Sequence, residues 1–352
     1  MFNDFSKKYI PMIDQSIKDF FKNKKDNAEY PFIKDFYCDL EEFCLRKGKR
    51  LRPLVLLIAY QSYYRGEGIT PDIIKLASIL EIMHSMLLVQ DDIIDKSKLR
   101  RGKKTLHIIL FERYRDNTRN KNIGKDVALV LSDVLFANAI EIIADIKTDP
   151  RVKNEFLYYF AKTYELTAWG QILDSINSLP VEIDTESDAP MQISALKTAH
   201  YTILGPMLMG FILSGREDEN EKKKISDFSL PLGLAFQVRD DILGVFGSEK
   251  KTGKTSDSDI IEGKLTLLIQ NSLKNKRKRE REKFLSIFSK GRKTKGEIDE
   301  IRNLIVKNGS LKKSKDMLFD LIEESREKLL KLNIGEKEKK IISGLIDLIS
   351  NV

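Results

Sequence analysis

Cysteine is nearly absent from this chain of 352 residues, with only Cys38 and Cys44 present. Six positions apart in one expected helix, they fall on different faces, so neither a disulfide between them nor a cysteine-built metal site is expected. A reducing, cytoplasmic setting fits. Proline is sparse as well, and the nine present stand mostly between long stretches of helical periodicity. Alternating strand patterns are scarce, so the chain is expected to be all-α. The N-terminal stretch MFNDFSKKYIPMIDQS has no long apolar core and no cleavage pattern, which argues against export. Charge of one sign is also in short supply: 61 basic against 53 acidic residues leave a net charge of +8. That mild excess suits anionic ligands without calling for nucleic acid, and no nucleic-acid partner is expected. Neither an internal repeat nor a clear linker interrupts the pattern, so residues 1–352 are expected to form one domain.

What is present is a large apolar fraction, 41% hydrophobic beside 32% charged, enough to fill a sizeable core. One segment, Thr198 to Gly215, carries no formal charge over a length that approaches a membrane span. Its His200, two threonines, Gly205-Pro206 pair and Gly210 point instead to a buried, kinked core helix. Contact with a greasy product or a membrane surface remains the alternative. Helices are expected over Asp4–Asn23, Ile33–Lys47 with Gly48 as the stop, Leu51–Tyr64, Pro71–Lys96, Leu106–Tyr114, Lys125–Ile146, Val152–Asn177, Met191–Leu213 and Glu221–Phe246. A charged helical layer follows from Lys264 onward.

Chemistry gathers first in EIMHSMLLVQDDIIDKSKLRR, Glu81 to Arg101. At about 100° per residue, Asp91 and Asp95 share one helix face a turn apart and can grip one cation together. Asp92 points elsewhere but adds its charge. Three like charges among Leu88, Ile93 and Ile94 are costly unless something positive binds there. Magnesium prefers few carboxylates, with waters and phosphate oxygens completing its shell. His84 returns to the same face two turns before Asp91, and Arg100 and Arg101 follow the helix. Carboxylates, a metal and guanidinium forks together make a seat for a diphosphate. A solvated helix end with weak ion pairs would show the same pattern, so this stretch alone does not decide.

A second constellation lies in LAFQVRDDILG, where Gln237, Asp240 and Asp241 stand at spacings of three and four and are expected on one face. The loop after it supplies Lys250, Lys251 and Lys254, and later Lys264. Having both clusters, each set into an apolar helix, favours a shared pocket in which metals bridge carboxylates to a phosphate ligand. GKRLRP, Gly48 to Pro53, places Lys49, Arg50 and Arg52 at a helix start, where free amides already favour anions. Lys197 and Thr198 offer one more cation and a hydroxyl.

GKRLRP, EIMHSMLLVQDDIID with its following RRG, WGQILD at Trp169–Asp174, KTAHYT at Lys197–Thr202, and FQVRDDILGVFG through GKTSDSDIIEGK closely resemble the trans-prenyl diphosphate synthases, or polyprenyl synthetases. The likeness runs from about Lys47 to Leu268. It implies an isoprenoid-synthase-like helical bundle around a deep central cavity, a homodimer, and a prenyltransferase that condenses isopentenyl diphosphate with an allylic prenyl diphosphate. It further implies about three magnesium ions, held by Asp91 and Asp95 of the first motif and Asp240 of the second. Carried over by motif position, Arg100, Lys197, Thr198, Gln237, Lys254 and Lys264 would contact the allylic substrate. Lys49, Arg52, His84 and Arg101 would seat isopentenyl diphosphate. Asp91, Asp95, Lys197 and Asp240 would carry the catalytic step.

Three departures stand out. Gly244 occupies the place of a frequent third aspartate in the second motif, GKKT follows Arg101 without the usual proline, and Ser132 replaces a frequent glycine. Met86 and Leu87, five and four positions before Asp91, are neither the aromatic plug of a strict short-chain enzyme nor the small residues of a very long-chain one. Geranylgeranyl diphosphate is therefore the expected product, with farnesyl or longer products the alternatives. A class I terpene cyclase would lack the cationic seat of Lys49, Arg52 and His84, and a non-catalytic partner subunit would have lost its metal ligands.

Overall fold

The computed structural model describes residues 1–178, 187–247, 258–274 and 278–352. They divide into two compact units, Met1–Tyr159 with Pro206–Glu217, and Phe160–Gly205 with Asp218–Val352. Almost all regular structure is helical, as the periodicity implies.

In the first unit the centre is α4, Pro71–Ile94, which is apolar around nearly its whole circumference and so must be covered on every side. Helices α1 (Phe2–Asp26), α2 (Pro31–Cys44), α3 (Leu51–Tyr63), α5 (Leu106–Tyr114) and α6 (Ile123–Asp145) supply that cover. Thr70 caps α4 by accepting from the Ile73 amide at 3.4 Å, and Pro71 follows at the first helical position, where its missing amide costs nothing. Between α4 and α5 the chain forms a hairpin that the sequence pattern did not announce, β1 (Leu99–Arg100) paired with β2 (Lys103–Lys104). Its two turn residues, Arg101 at φ 55° and Gly102 at φ 76°, are both left-handed, as a tight two-residue connection requires.

Helix α2 ends at Cys44, short of the expected stop at Gly48. The Arg46 carbonyl, which a longer helix would have drawn inward, accepts instead from the Arg101 guanidinium at 2.8 Å.

The second unit is built on α10, Glu219–Phe246, which packs against α15 (Ser310–Leu329) and α16 (Glu336–Ser350). The stretch expected as one kinked helix, Met191–Leu213, is three pieces: α8 (Ala189–Ile193), a π-helix (Ser194–Leu204) and α9 (Gly205–Leu213). The Thr198–Gly215 segment is therefore a largely buried, broken core helix rather than a span. Among the described residues, α6 alone has the length and apolar composition to cross a membrane. Helix α7, Pro150–Ile176, begins in the first unit and ends in the second. A satellite core joins the end of α10 to α11 (Ser258–Glu262), α12 (Leu267–Lys274), α13 (Lys278–Phe288) and α14 (Lys295–Lys307) through Val245, Ile260, Ile269, Phe284, Phe288 and Ile301.

Candidate active site

The first cluster forms where α4 ends. Asp91 lies in the last turn and Asp95 is the residue just past it, its amide donating to the Asp91 carbonyl at 2.8 Å. Both carboxylates are half-buried, so they remain within reach of a ligand. Lys96 then turns left-handed at φ 55°, the Ser97 amide donates to the Asp92 carbonyl at 2.9 Å, and Thr105 donates to the Ser97 carbonyl at 2.9 Å. Those ties fold the hairpin back over the helix end.

The fold-back delivers Arg100 to the acids. Its Nη2 lies 2.5 Å from Asp92 and 3.1 Å from Asp91, and its Nε donates to Asp92 at 2.8 Å. Burial works against the guanidinium charge, yet Asp92 and then Asp91 hold its pKa above the usual arginine value. Asp92 is thus not a bystander that merely adds charge. It is buried and anchors Arg100 beside Asp91.

Arg101 faces the opposite way and meets the start of α3. Its guanidinium lies against Gly48, where an added Cβ would sit 2.9 Å from Nη2. Arg50, left-handed at φ 48°, turns inward: its Nη1 meets Glu81 at 2.6 Å and its Nε meets Asp14 of α1 at 2.7 Å. Arg50 is therefore a buried structural cation, while Arg52 is half-buried and Lys49 is exposed. Partly buried His84 sits amid these groups. Its burial, with Arg52, Arg101, Arg100 and Arg50 around it, keeps its pKa well below the ordinary 6.5, so at neutral pH it is an uncharged imidazole able to donate a hydrogen bond. The structure thus brings Arg52, Arg100 and Arg101 near His84. Met86 is fully buried in α4, and Leu87 is half-buried beside it.

The second cluster is built on the π-helix. Gly170 of α7 and Gly233 of α10 each let its backbone approach: a side chain at either would overlap Lys197 or Ala199. From that close seat Lys197 donates to Asp174 of α7 at 2.6 Å and Thr198 donates to Gln237 of α10 at 2.5 Å. Gln237 in turn donates to Asp241 at 2.6 Å. Asp174, the last residue of WGQILD, is thus the partner of Lys197, a task that its place in the sequence does not announce.

Asp240 and Asp241 do not share one environment as expected: Asp240 is exposed and Asp241 is buried. Burial, with Asp259 next and Asp240 further off, pushes the Asp241 carboxyl well above the ordinary carboxylate range. Asp259 of α11 packs its carboxylate onto the bare Cα of Gly244, so the missing third aspartate leaves room that another acid fills. Lys264 follows, paired with Glu262 at 2.9 Å. Lys254, Lys250 and Lys251 lie outside the described residues.

Both clusters fit magnesium in their donor chemistry. They offer hard carboxylate oxygens, and the crowding around Asp241 calls for positive charge. Among the described residues, no group of three or more acidic, histidine or cysteine side chains closes around one point. An ion held here would complete its shell with water and substrate phosphate, which is the habit of magnesium.

The family model described as polyprenyl synthetase matches residues 36–305. A geranylgeranyl diphosphate synthase from Saccharolobus solfataricus is 30% identical over 312 residues, 87% of this chain and 88% of that protein. A geranylfarnesyl diphosphate synthase from Aeropyrum pernix is 29% identical, covering 85% of this chain and 88% of its own. The fold matches a geranylgeranyl pyrophosphate synthase from Corynebacterium glutamicum, solved with isoprenyl diphosphate and magnesium, with a TM-score of 0.90, 23% identity and 98% of each chain covered. A match over most of the length, with every motif in order, makes this chain an all-α member of the polyprenyl synthetase family, the trans-prenyl diphosphate synthases.

Proposed function

We propose that this prenyltransferase joins isopentenyl diphosphate to an allylic prenyl diphosphate, and that its principal product is geranylgeranyl diphosphate. One observation carries the reading: the hairpin after α4 sets Arg100 on Asp91 and Asp92 while Arg101 faces His84 and Gly48. Acidic and cationic seats thus adjoin at one helix end, as a reaction between two diphosphates needs.

Asp91, Asp95 and Asp240 would hold the magnesium ions, about three with substrate present. When bound, the metal neutralises the diphosphate and so eases its departure. Arg100, Lys197 and Lys264 add positive charge where negative charge develops as the allylic carbon–oxygen bond breaks. Thr198 and Gln237 orient the same group, and Asp174 holds Lys197 in place until substrate competes for it. Lys49, Arg52 and Arg101 hold isopentenyl diphosphate, with neutral His84 donating a hydrogen bond to it. The isopentenyl double bond then attacks the allylic carbon, a proton leaves the new chain, and the departing diphosphate accepts it. Apolar residues such as Met86 and Leu87 keep water from the cation.

The enzyme acts as a homodimer in the cytoplasm on this reading, which the two free cysteines accommodate. Incubation with magnesium, isopentenyl diphosphate and an allylic primer should yield a C20 diphosphate as the main product. Chromatographic sizing that shows no C20 chain refutes the product assignment, and the absence of any condensation refutes the reaction.

A further inference from the structure

Glu81 carries no task in the reading above, yet it is an almost fully enclosed acid beside the cationic seat, with a side-chain exposure of 2%. Burying a carboxylate is unfavourable unless positive charge compensates it. Two guanidiniums do so here: Arg50 at 2.6 Å and Arg101 at 3.7 Å, both to the same oxygen, Oε1. Arg50 is satisfied twice, since Asp14 also meets it at 2.7 Å. Arg101 has a different set of restraints: the Arg46 carbonyl at 2.8 Å, the flat contact with Gly48, and Glu81 as its acidic neighbour. Around it stand Arg50, Arg52 and Arg100, all of which oppose its charge. Without an acid at position 81, Arg50 would push the Arg101 guanidinium off Gly48 and toward solvent.

We propose that Glu81 is a positioning residue whose buried carboxylate, shared between Arg50 and Arg101, fixes the Arg101 guanidinium in the geometry that receives isopentenyl diphosphate. The proposal rests on the assignment of Arg101 to that substrate. It assigns Glu81 no contact with substrate and no part in bond making. Its effect is confined to one substrate, because Arg100, which faces the other diphosphate, is tied to Asp91 and Asp92.

The test is steady-state kinetics on the full chain with both substrates varied. Glu81→Gln keeps size and an acceptor oxygen but removes the charge. It should raise the KM for isopentenyl diphosphate about tenfold, as expected for one lost charge-assisted contact. The kcat and the allylic KM should stay within about twofold. Glu81→Asp, which keeps the charge one methylene away, should fall between wild type and Glu81→Gln, and it serves if the glutamine variant folds poorly. Asp14→Asn removes the other acid of Arg50 without touching Arg101, so it should lower thermal stability and leave the isopentenyl KM unchanged. Combined with Arg101→Lys, Glu81→Gln should add little beyond Arg101→Lys alone.

An unchanged KM in Glu81→Gln, an equal effect from Asp14→Asn, or fully additive effects of Glu81→Gln and Arg101→Lys would each overturn the proposal. Should Arg101→Lys itself leave the isopentenyl KM unaltered, the seat assignment fails first, and the two failures are thereby told apart.

Discussion

At the scale of single residues, the site depends on what neighbours forbid or permit. His84 shows this most directly, because burial, with four arginines around it, takes its charge away. Its folded pKa is depressed, so below the ordinary value of 6.5 the unfolded chain takes up a proton that the folded one refuses. Stability is therefore fully present above that pH and falls as the pH drops toward the folded pKa. His107 and His200 are shifted in the same direction by burial and act alike. Replacing His84 with Asn should remove one proton's share of this dependence, up to about 1.4 kcal/mol per pH unit. Urea unfolding of both proteins at several pH values below neutrality would check the change in slope. The sequence put His84 on the helix face of Asp91 through its spacing, and the structure sets it near Arg52 and Arg101. The sequence did not show the buried roles of Glu81 and Arg50, since the left-handed turn at Arg50 is invisible in a run of basic residues.

At the scale of elements, most helices lie within a few residues of where periodicity and capping place them, because α3, α4 and α10 owe their limits to local signals such as Thr70-Pro71. The two misplaced features have distant causes. Helix α2 ends early because Arg101, far along the chain, takes the Arg46 carbonyl. The 11-residue π-helix replaces an ordinary turn pattern because Gly170 and Gly233 admit its backbone from two sides. An apolar run such as TAHYTILGPMLMGF does not encode its own winding. Gly233→Ala should accordingly cost about 1–3 kcal/mol by overpacking against the Ala199 backbone. It should also raise the allylic KM by disturbing the Thr198–Gln237 bond. Denaturant melts and initial-rate kinetics on the same preparation would separate the two effects, and a variant with both quantities unchanged would count against this account of the π-helix.

At the scale of the whole molecule, α6 alone among the described helices is long and apolar enough to cross a membrane, yet it leaves Leu129 and Val130 at 50% and 61% exposure. Those side chains suit the helix to pairing with a second copy, in keeping with the homodimer proposed above. Light scattering on wild type should give the mass of two chains, and a Leu129→Glu, Val130→Glu double variant should shift toward one. A monomeric wild type would sink the dimer. All-α architecture was legible at this scale because composition and period decide it. The exposure of Leu129 and Val130 was not, since an exposed leucine and a buried one look alike in a sequence.

Asp14 sits on α1, upstream of the residues that match the family model, yet among the described residues it is one of two acids that meet Arg50. Anyone trimming the enzyme to its recognisable portion would discard that carboxylate together with the helix that carries it. Such a minimal version would keep every motif and still be handicapped, because the scaffolding for its recognition machinery begins before the part a motif search would retain.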